Sequence, residues 1–197
     1  MNLPIYQLEI SENLNDDVEV DFVAFVDKPA IERDFLAFKE AKAKFVIQSE
    51  DRRIVSGALM LADTPIYRND QNGEYYVTFS AGTIEKIAQK FFQKGYQSNV
   101  NLMHNDAMAV EGVTMYESFL VDSSRGVLAM KGFEDAPQGS WFGSFKVDNQ
   151  AVWDKIKSGE FKGFSVEGVF NYKKGAQPMS IEETLWSELC SILEQVK

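Results

Sequence analysis

The chain has 197 residues but only one cysteine, Cys190, and one histidine, His104. A lone cysteine cannot close a disulfide within the chain, and one cysteine with one histidine cannot supply the ligand set of a structural zinc site. The sequence also lacks the glycine-rich phosphate loops, the HExxH zinc motif and the GxSxG nucleophile elbow. We therefore expect no metal and no cofactor.

Long apolar runs are missing too. No stretch approaches the roughly 20 residues that a membrane-spanning helix needs, and the N-terminus has no basic segment followed by an apolar one. Acidic residues outnumber basic residues by 30 to 20, which gives a formal net charge of -10. That charge repels a phosphate backbone. We expect a soluble intracellular protein that has neither a membrane nor a nucleic acid as its partner.

What the sequence does contain is the composition of a folded domain. Hydrophobic residues make up 45% of the chain and include 15 phenylalanines. Short β-prone runs alternate with a few amphipathic segments, which predicts a mixed α+β fold. The predicted strands cover residues 3–10, 18–26, 53–61, 99–104, 110–121, 126–133 and 164–172, with a hairpin at Asn72-Gly73. The predicted helices lie at 31–44, from Ser80 to Gly95, from Asp148 to Gly159, and at 180–196.

Two residues are the main candidates for chemistry. His104 is the only imidazole available for proton transfer near neutral pH. Ser165 lies in the strand-like segment GFSVEG, and a serine hydroxyl becomes a useful nucleophile only when a base removes its proton. Taken alone, a lone histidine is more often structural, and a serine on a strand is seldom catalytic.

A third group would orient the imidazole and stabilise its charged form. Strand alternation puts Glu167 on the same face as Ser165, which makes this carboxylate the first candidate. Glu111 and Glu117 are rivals because they follow His104 closely in the chain. As carboxylates of an acidic protein, each could equally be structural.

The order of several segments resembles the tailed-phage prohead maturation proteases, and most closely the XkdF-type phage serine proteases. The segments are LMHND at 102–106, VEGVTMYESFLVD at 110–122, SSRGVLA at 123–129 and VWDKIKSGEFKGFSVEG at 152–168. The stretch PIYRNDQNGEYYVTFSAGTIEKIAQKFF at 65–92 is similar as well. The resemblance covers roughly residues 51–172.

This resemblance implies a herpesvirus-assemblin-like fold, in which a small β-barrel is flanked by helices. It also implies that His104 is the general base and Ser165 the nucleophile of a serine endopeptidase. Many relatives have a Val-x-x-Pro-Ala strand after the serine strand, whereas VAFVDKPA stands here at 23–30. If the third catalytic group comes from that region, Asp21 becomes another candidate.

The same resemblance suggests how the chain is organised. We expect an appendage of one strand and one helix at 1–50, a protease core at 51–175, and an amphipathic C-terminal helix at 176–197. That last helix is expected to pack on the core or to form a dimer contact, so a homo-oligomer is allowed.

The implied function is capsid maturation inside the assembling prohead, in the host cytoplasm. The expected substrates are segments of the scaffolding protein, of the major capsid protein, and of the protease itself. They would be cleaved through an acyl-enzyme while bound in a groove beside the Ser165 strand. The alternative is a capsid-assembly protein that binds scaffold, keeps a protease-like fold and has no activity.

Overall fold

The structure is a computed structural model that describes residues 3–27, 45–71 and 73–174. These residues form twelve strands and two α-helices. The strands are β1 Ile5–Glu9, β2 Val20–Val26, β3 Val46–Ser49, β4 Ile54–Met60, β5 Ile66–Asp70, β6 Gly73–Thr78, β7 Val100–Leu102, β8 Asn105–Ala109, β9 Val113–Leu120, β10 Trp141–Val147, β11 Gly163–Gly168 and β12 Asn171–Lys174. The helices are α1 Ala81–Gln93 and α2 Gln150–Lys157.

The strands form three sheets of four strands each. Their orders are β12-β1-β6-β5, β3-β4-β10-β9 and β11-β2-β7-β8. A barrel requires the last strand of a sheet to pair with the first, and none of these three sheets closes in that way. The mixed α+β class is therefore confirmed. The expected small β-barrel is not confirmed, since the described strands form open sheets. The herpesvirus-assemblin-like fold stays a prediction.

The core lies where central strands of two sheets face one another. All seven residues of β4 are buried, as are six of the seven in β10. Phe25 of β2 and Phe164 of β11 meet edge to face with ring centroids 5.0 Å apart, and Phe145 of β10 lies 4.7 Å from the Phe164 ring. Such aromatic pairs add to the free energy gained by burying their area. The strand that carries Ser165 is therefore anchored through the residue just before it.

Helix α1 begins as the sequence predicted. The Ser80 side chain accepts a hydrogen bond from the backbone N–H of Thr83, which satisfies one of the unpaired donors of the first turn. Gly95 follows the last turn in the left-handed conformation, with φ of 76°. The predicted apolar face is buried, except that Phe92 at its margin is exposed.

Helix α2 has a different N-cap from the predicted one. Asn149, not Asp148, accepts from the backbone N–H of Val152. The Asp148 carboxylate instead lies 2.8 Å from the ammonium of Lys146. Gly159 closes the helix with φ of 76°, as predicted.

The predicted strand at 126–133 is wrong. Asp122 accepts hydrogen bonds from the backbone N–H groups of Ser124 and Arg125 and so stabilises a turn, which Gly126 ends with φ of 76°. Its hydrogen bonds from Ser124 and Arg125 lower the pKa of Asp122 to about 2. The strand of this region is β10, which the sequence analysis missed.

The β5–β6 hairpin is confirmed. Asp70 pairs with Gly73, so Gly73 is the first residue of the returning strand. The predicted strand at 164–172 is divided into β11 and β12, which belong to different sheets.

The predicted helices at 31–44 and 180–196 lie outside the described residues. The division of the chain into an appendage, a core and a C-terminal helix stays a prediction. In the described ranges, neither helix has the length and apolar character needed to cross a bilayer.

Candidate active site

Ser165 lies near the middle of β11, an edge strand that pairs with β2. The register sets Ser165 beside Ala24 of β2, and Ala24 beside Asn101 of β7. Directly paired residues point to the same side of a sheet, so these three side chains share one face. Only 4% of Ser165 is exposed. We call this surface, which Glu167 also shares two residues further along β11, the Ser165 face.

His104 is held in a tight turn between β7 and β8. Leu102 pairs with Asn105, which leaves Met103 and His104 as the two loop residues. Both have positive φ, 57° and 56°. Positive φ at both loop positions is the pattern of a type I′ hairpin turn, which strongly prefers Asn and Gly. A left-handed residue other than glycine costs roughly 1–2 kcal/mol, and such strain often accompanies function.

The imidazole of His104 contacts the carboxylate of Glu167. His104 Nδ1 lies 2.9 Å from Glu167 Oε1, and the two side chains are 44% and 20% exposed. Glu167 pairs with Phe22 of β2 in the same register that sets Ser165 beside Ala24. The contact is an ion-pair approach and not an aligned hydrogen bond, because Glu167 Oε1 is buried without a hydrogen-bond donor among the described residues. It brings the imidazole to the Ser165 face and leaves Nε2 as the ring nitrogen for proton transfer.

Ser165 and His104 are near each other without being bonded. Residues two apart on a strand are separated by roughly 6.5–7 Å. The backbone of Glu167, whose side chain contacts His104, therefore lies about that far from the backbone of Ser165. The described residues contain no hydrogen bond between the Ser165 hydroxyl and the imidazole. Catalytic hydrogen bonds are often long in unliganded enzymes and tighten when substrate binds.

The three rival carboxylates lie elsewhere. Glu117 is on β9, in a different sheet, where its Oε2 accepts from the Ser144 hydroxyl at 2.5 Å. Glu111 lies in the bend before β9, and its backbone oxygen accepts from the Asn149 side chain. Asp21 is on β2, but alternation from Phe22 and Ala24 places it on the face opposite Ser165. Glu167 is therefore the candidate whose contact with the histidine is observed.

Asn101 is a component that the sequence analysis missed. It is fully buried on the Ser165 face, and neither Oδ1 nor Nδ2 has a hydrogen-bond partner among the residues that the structure describes. A buried amide without partners costs free energy and calls for an explanation. The one hint in the sequence is its place in NVNLMHN, where a polar residue stands on the predicted strand before His104.

A cavity of about 360 Å³ runs beside β11. Five consecutive residues of the strand line it, from Phe164 to Gly168. Because successive side chains alternate between faces, such a cavity must follow the edge of the strand. Its other walls are mainly apolar, and Arg68 is the cation among the lining residues. A groove beside the Ser165 strand was expected, and this cavity has that position.

The other ionisable groups near the site do not form a metal centre. Within 3–27, 45–71 and 73–174, no three carboxylate, histidine or cysteine side chains cluster closely enough to hold an ion.

Comparison with known proteins places the chain in a family. The model of the family described as "Putative phage serine protease XkdF" matches residues 42–173, and the chain belongs to this family. Ser165, His104 and Glu167 all lie inside the matched segment. The resemblance to XkdF-type proteins seen in the sequence is thereby confirmed.

Two proteins of Bacillus subtilis (strain 168) are similar over most of the chain. "Phage-like element PBSX protein XkdF" is 26% identical over 161 residues, which are 76% of this chain and 52% of that protein. "Uncharacterized protein YqbD" is 26% identical over 185 residues, 89% of this chain and 52% of that protein. The chain spans about half the length of these curated relatives. No solved structure matches it.

Proposed function

We propose that the protein is a serine endopeptidase in which Ser165 is the nucleophile and His104 the general base. Glu167 holds the imidazole through Nδ1 and stabilises the imidazolium that forms during each proton transfer. The observation that carries the proposal is the 2.9 Å contact between His104 and Glu167, on the strand face that also bears Ser165. The family description supports the same chemistry.

The reaction proceeds through an acyl-enzyme. Ser165 Oγ attacks the scissile carbonyl while Nε2 of His104 takes its proton. The imidazolium then gives that proton to the leaving amine as the C–N bond breaks. Water repeats the sequence on the ester and restores the serine. A side-chain rotation at His104 or Ser165 has to bring the two groups to about 2.6–3.2 Å for the first step.

The setting we propose is the maturation of a phage prohead, inside the host cell. The substrates are segments of scaffolding protein and of major capsid protein, and the protease cleaves itself as well. Membership of a phage protease family supports this setting. An extended segment would bind along the edge of β11 that pairs with no described strand, where the cavity lies, by adding a strand to the sheet.

Co-expression with the neighbouring head genes tests the proposal. Intact mass spectrometry would follow the scaffold for the wild type, Ser165→Ala and His104→Ala. We expect processing with the wild type and none with either variant. Ser144→Ala is the matched control because Ser144 is also a buried strand serine, in another sheet, and it should process normally.

Equal scaffold masses in all four samples would contradict the endopeptidase and favour the alternative, an assembly protein that binds scaffold without cutting it. Self-cleavage is tested by the mass of the purified protein during prolonged incubation at high concentration. An unchanged mass would show that the protein does not cleave itself.

A further inference from the structure

Arg68 stands on the wall of the cavity that Ser165 and Glu167 also line. It belongs to β5, which is an edge strand of its sheet, and it pairs across that sheet with Tyr75 of β6. Ile66, two residues earlier, points to the same side and packs against the core. The guanidinium therefore extends from an apolar wall into the space beside the Ser165 strand.

No carboxylate in the described part of the chain forms an ion pair with Arg68. Its Nη1 donates to the backbone oxygen of the adjacent Tyr67 at 3.1 Å. Asp70, two residues further along β5, accepts instead from the hydroxyl of Tyr75 at 2.7 Å. Although the chain carries a net charge of -10, this cation beside the candidate site is paired with none of the described carboxylates.

The guanidinium of Arg68 is suited to pairing with a carboxylate. Although the side chain is exposed overall, nearby protein atoms displace water from the guanidinium and lower its pKa. An arginine stays protonated even so. A partly desolvated cation binds a carboxylate more strongly than one in bulk water, and the arginine fork matches carboxylate geometry.

We propose that Arg68 binds an acidic side chain of the substrate, so that the enzyme selects extended segments with an Asp or Glu near the scissile bond. This inference rests on the proposed peptidase function and names its substrate class. The other residues that line the cavity predict a second substrate preference. Leu59, Ile66, Phe79 and Phe170 form apolar walls, which accept an apolar side chain at another position of the same segment.

The first test is cleavage of a synthetic peptide library, read by mass spectrometry of the products. We expect the wild type to enrich Asp and Glu at one position relative to the cut. Arg68→Glu should abolish that enrichment and favour Lys or Arg, with kcat/KM for acidic peptides reduced about 10- to 100-fold. Arg68→Lys should keep the sign of the preference and lose part of its strength.

Arg52→Glu is the matched control. Arg52 is exposed and lines a separate cavity between β3, β4 and β9, so the same change of charge there should leave the library profile unchanged. A wild-type profile without acidic enrichment, or one that Arg68→Glu does not alter, would overturn the role of Arg68 while the peptidase stands.

A binding measurement separates this inference from catalysis. The inactive Ser165→Ala variant would be titrated with a fluorescent peptide carrying one Glu among apolar residues and with its Gln counterpart. We expect the Glu peptide to bind at least about 10-fold more tightly, and the difference to vanish in Ser165→Ala/Arg68→Glu. Equal binding of the two peptides would overturn the inference. Cleavage absent despite selective binding would instead count against the peptidase.

Discussion

Two buried polar regions of the molecule differ in how well their groups are paired. Around α1, the ammonium of Lys90 donates to the backbone oxygens of Ser11, Asn13 and Asp16 at 2.8–3.1 Å. It also lies 3.0 Å from Glu19 Oε2, an ion-pair contact that is not aligned as a hydrogen bond. Lys94 and Tyr96 donate to Oε1 of the same carboxylate. We call this group the Lys90 cluster.

The Ser165 face is the opposite case. In the described part of the chain, the Asn101 amide and Glu167 Oε1 have no hydrogen-bond partner and the Ser165 hydroxyl is not bonded to His104. The histidine lies in a turn with positive φ. Buried polar groups that are hydrogen-bonded or ion-paired stabilise a fold, whereas unpaired ones cost free energy. We infer that the Lys90 cluster has a structural role, since it holds residues 11–19 against α1. The Ser165 face, by contrast, is the region where we propose that substrate binds.

The largest expected effect on stability follows from Lys90→Met. This change leaves three backbone oxygens without their donor and Glu19 without one of its buried cations, so the free energy of unfolding should fall by about 3 kcal/mol. Urea titration followed by tryptophan fluorescence measures it. Labelling of the remaining folded molecules at Ser165 should not change. A loss below about 1 kcal/mol would contradict the structural role given to the cluster.

Glu167→Gln should affect turnover more than stability. The amide keeps the shape of the side chain but cannot stabilise an imidazolium, so kcat should fall about 100-fold or more with KM little changed. The free energy of unfolding should change little because both side chains of the pair reach solvent. Steady-state kinetics on a cleaved peptide would measure the effect.

The control for Glu167→Gln is Glu117→Gln, which alters a carboxylate bonded to Ser144 in another sheet. It should leave kcat unchanged. If Glu117→Gln lowered kcat and Glu167→Gln did not, the role of orienting His104 would have been assigned to the wrong carboxylate.

Much of this site could be predicted from sequence because its decisive residues are rare or close together. His104 is the only histidine, and the spacing of Ser165 and Glu167 puts them on one face of any strand. The family resemblance indicated that the segment of His104 and the segment of Ser165 and Glu167 belong to one site. The contact between His104 and Glu167 was not predictable from spacing alone, since it depends on β2 lying between β7 and β11.

Other features depend on contacts that are remote in sequence or on turns with unusual residues. Asn101 is buried because β2 and β8 flank it, which a local pattern does not reveal. The turn at Met103-His104 uses neither Asn nor Gly, so the usual hairpin signal is missing. Strand β10, WFGSFKV, was missed because Gly143 and Ser144 interrupt its apolar residues, although both are buried between β4 and β9.

Asn101→Leu should change the free energy of unfolding less than Lys90→Met does, and in the opposite direction. A leucine has a similar branched shape and no polar atoms to leave unpaired, so the free energy of unfolding should rise by about 1 kcal/mol. Thermal or urea unfolding would measure the change. A clear decrease in stability would mean that the amide makes a stabilising bond in solution.

The smallest expected effect is a pH dependence from the Lys90 cluster. Burial raises the pKa of Glu19, but the hydrogen bonds from Lys94 and Tyr96 and the contact with Lys90 together outweigh it and hold the pKa below its usual value. The stabilisation is therefore complete above the unfolded pKa, near 4.3, and is lost as the pH falls through the lower folded value.

Urea unfolding between pH 7 and pH 3 would measure this dependence in the wild type and in Glu19→Gln. The wild type should lose more stability on acidification than the variant, because only the wild type must protonate Glu19. Parallel curves for the two proteins would contradict the lowered pKa.

The most direct test of the Ser165 face is covalent labelling with a fluorophosphonate serine probe, followed by peptide mapping. The account predicts a single adduct on Ser165 in the wild type, no adduct in Ser165→Ala, and strongly slowed labelling in His104→Ala while Ser144→Ala labels normally. A wild-type protein that is folded yet unlabelled at Ser165, or labelled equally fast without His104, would contradict the claim that this imidazole activates this hydroxyl.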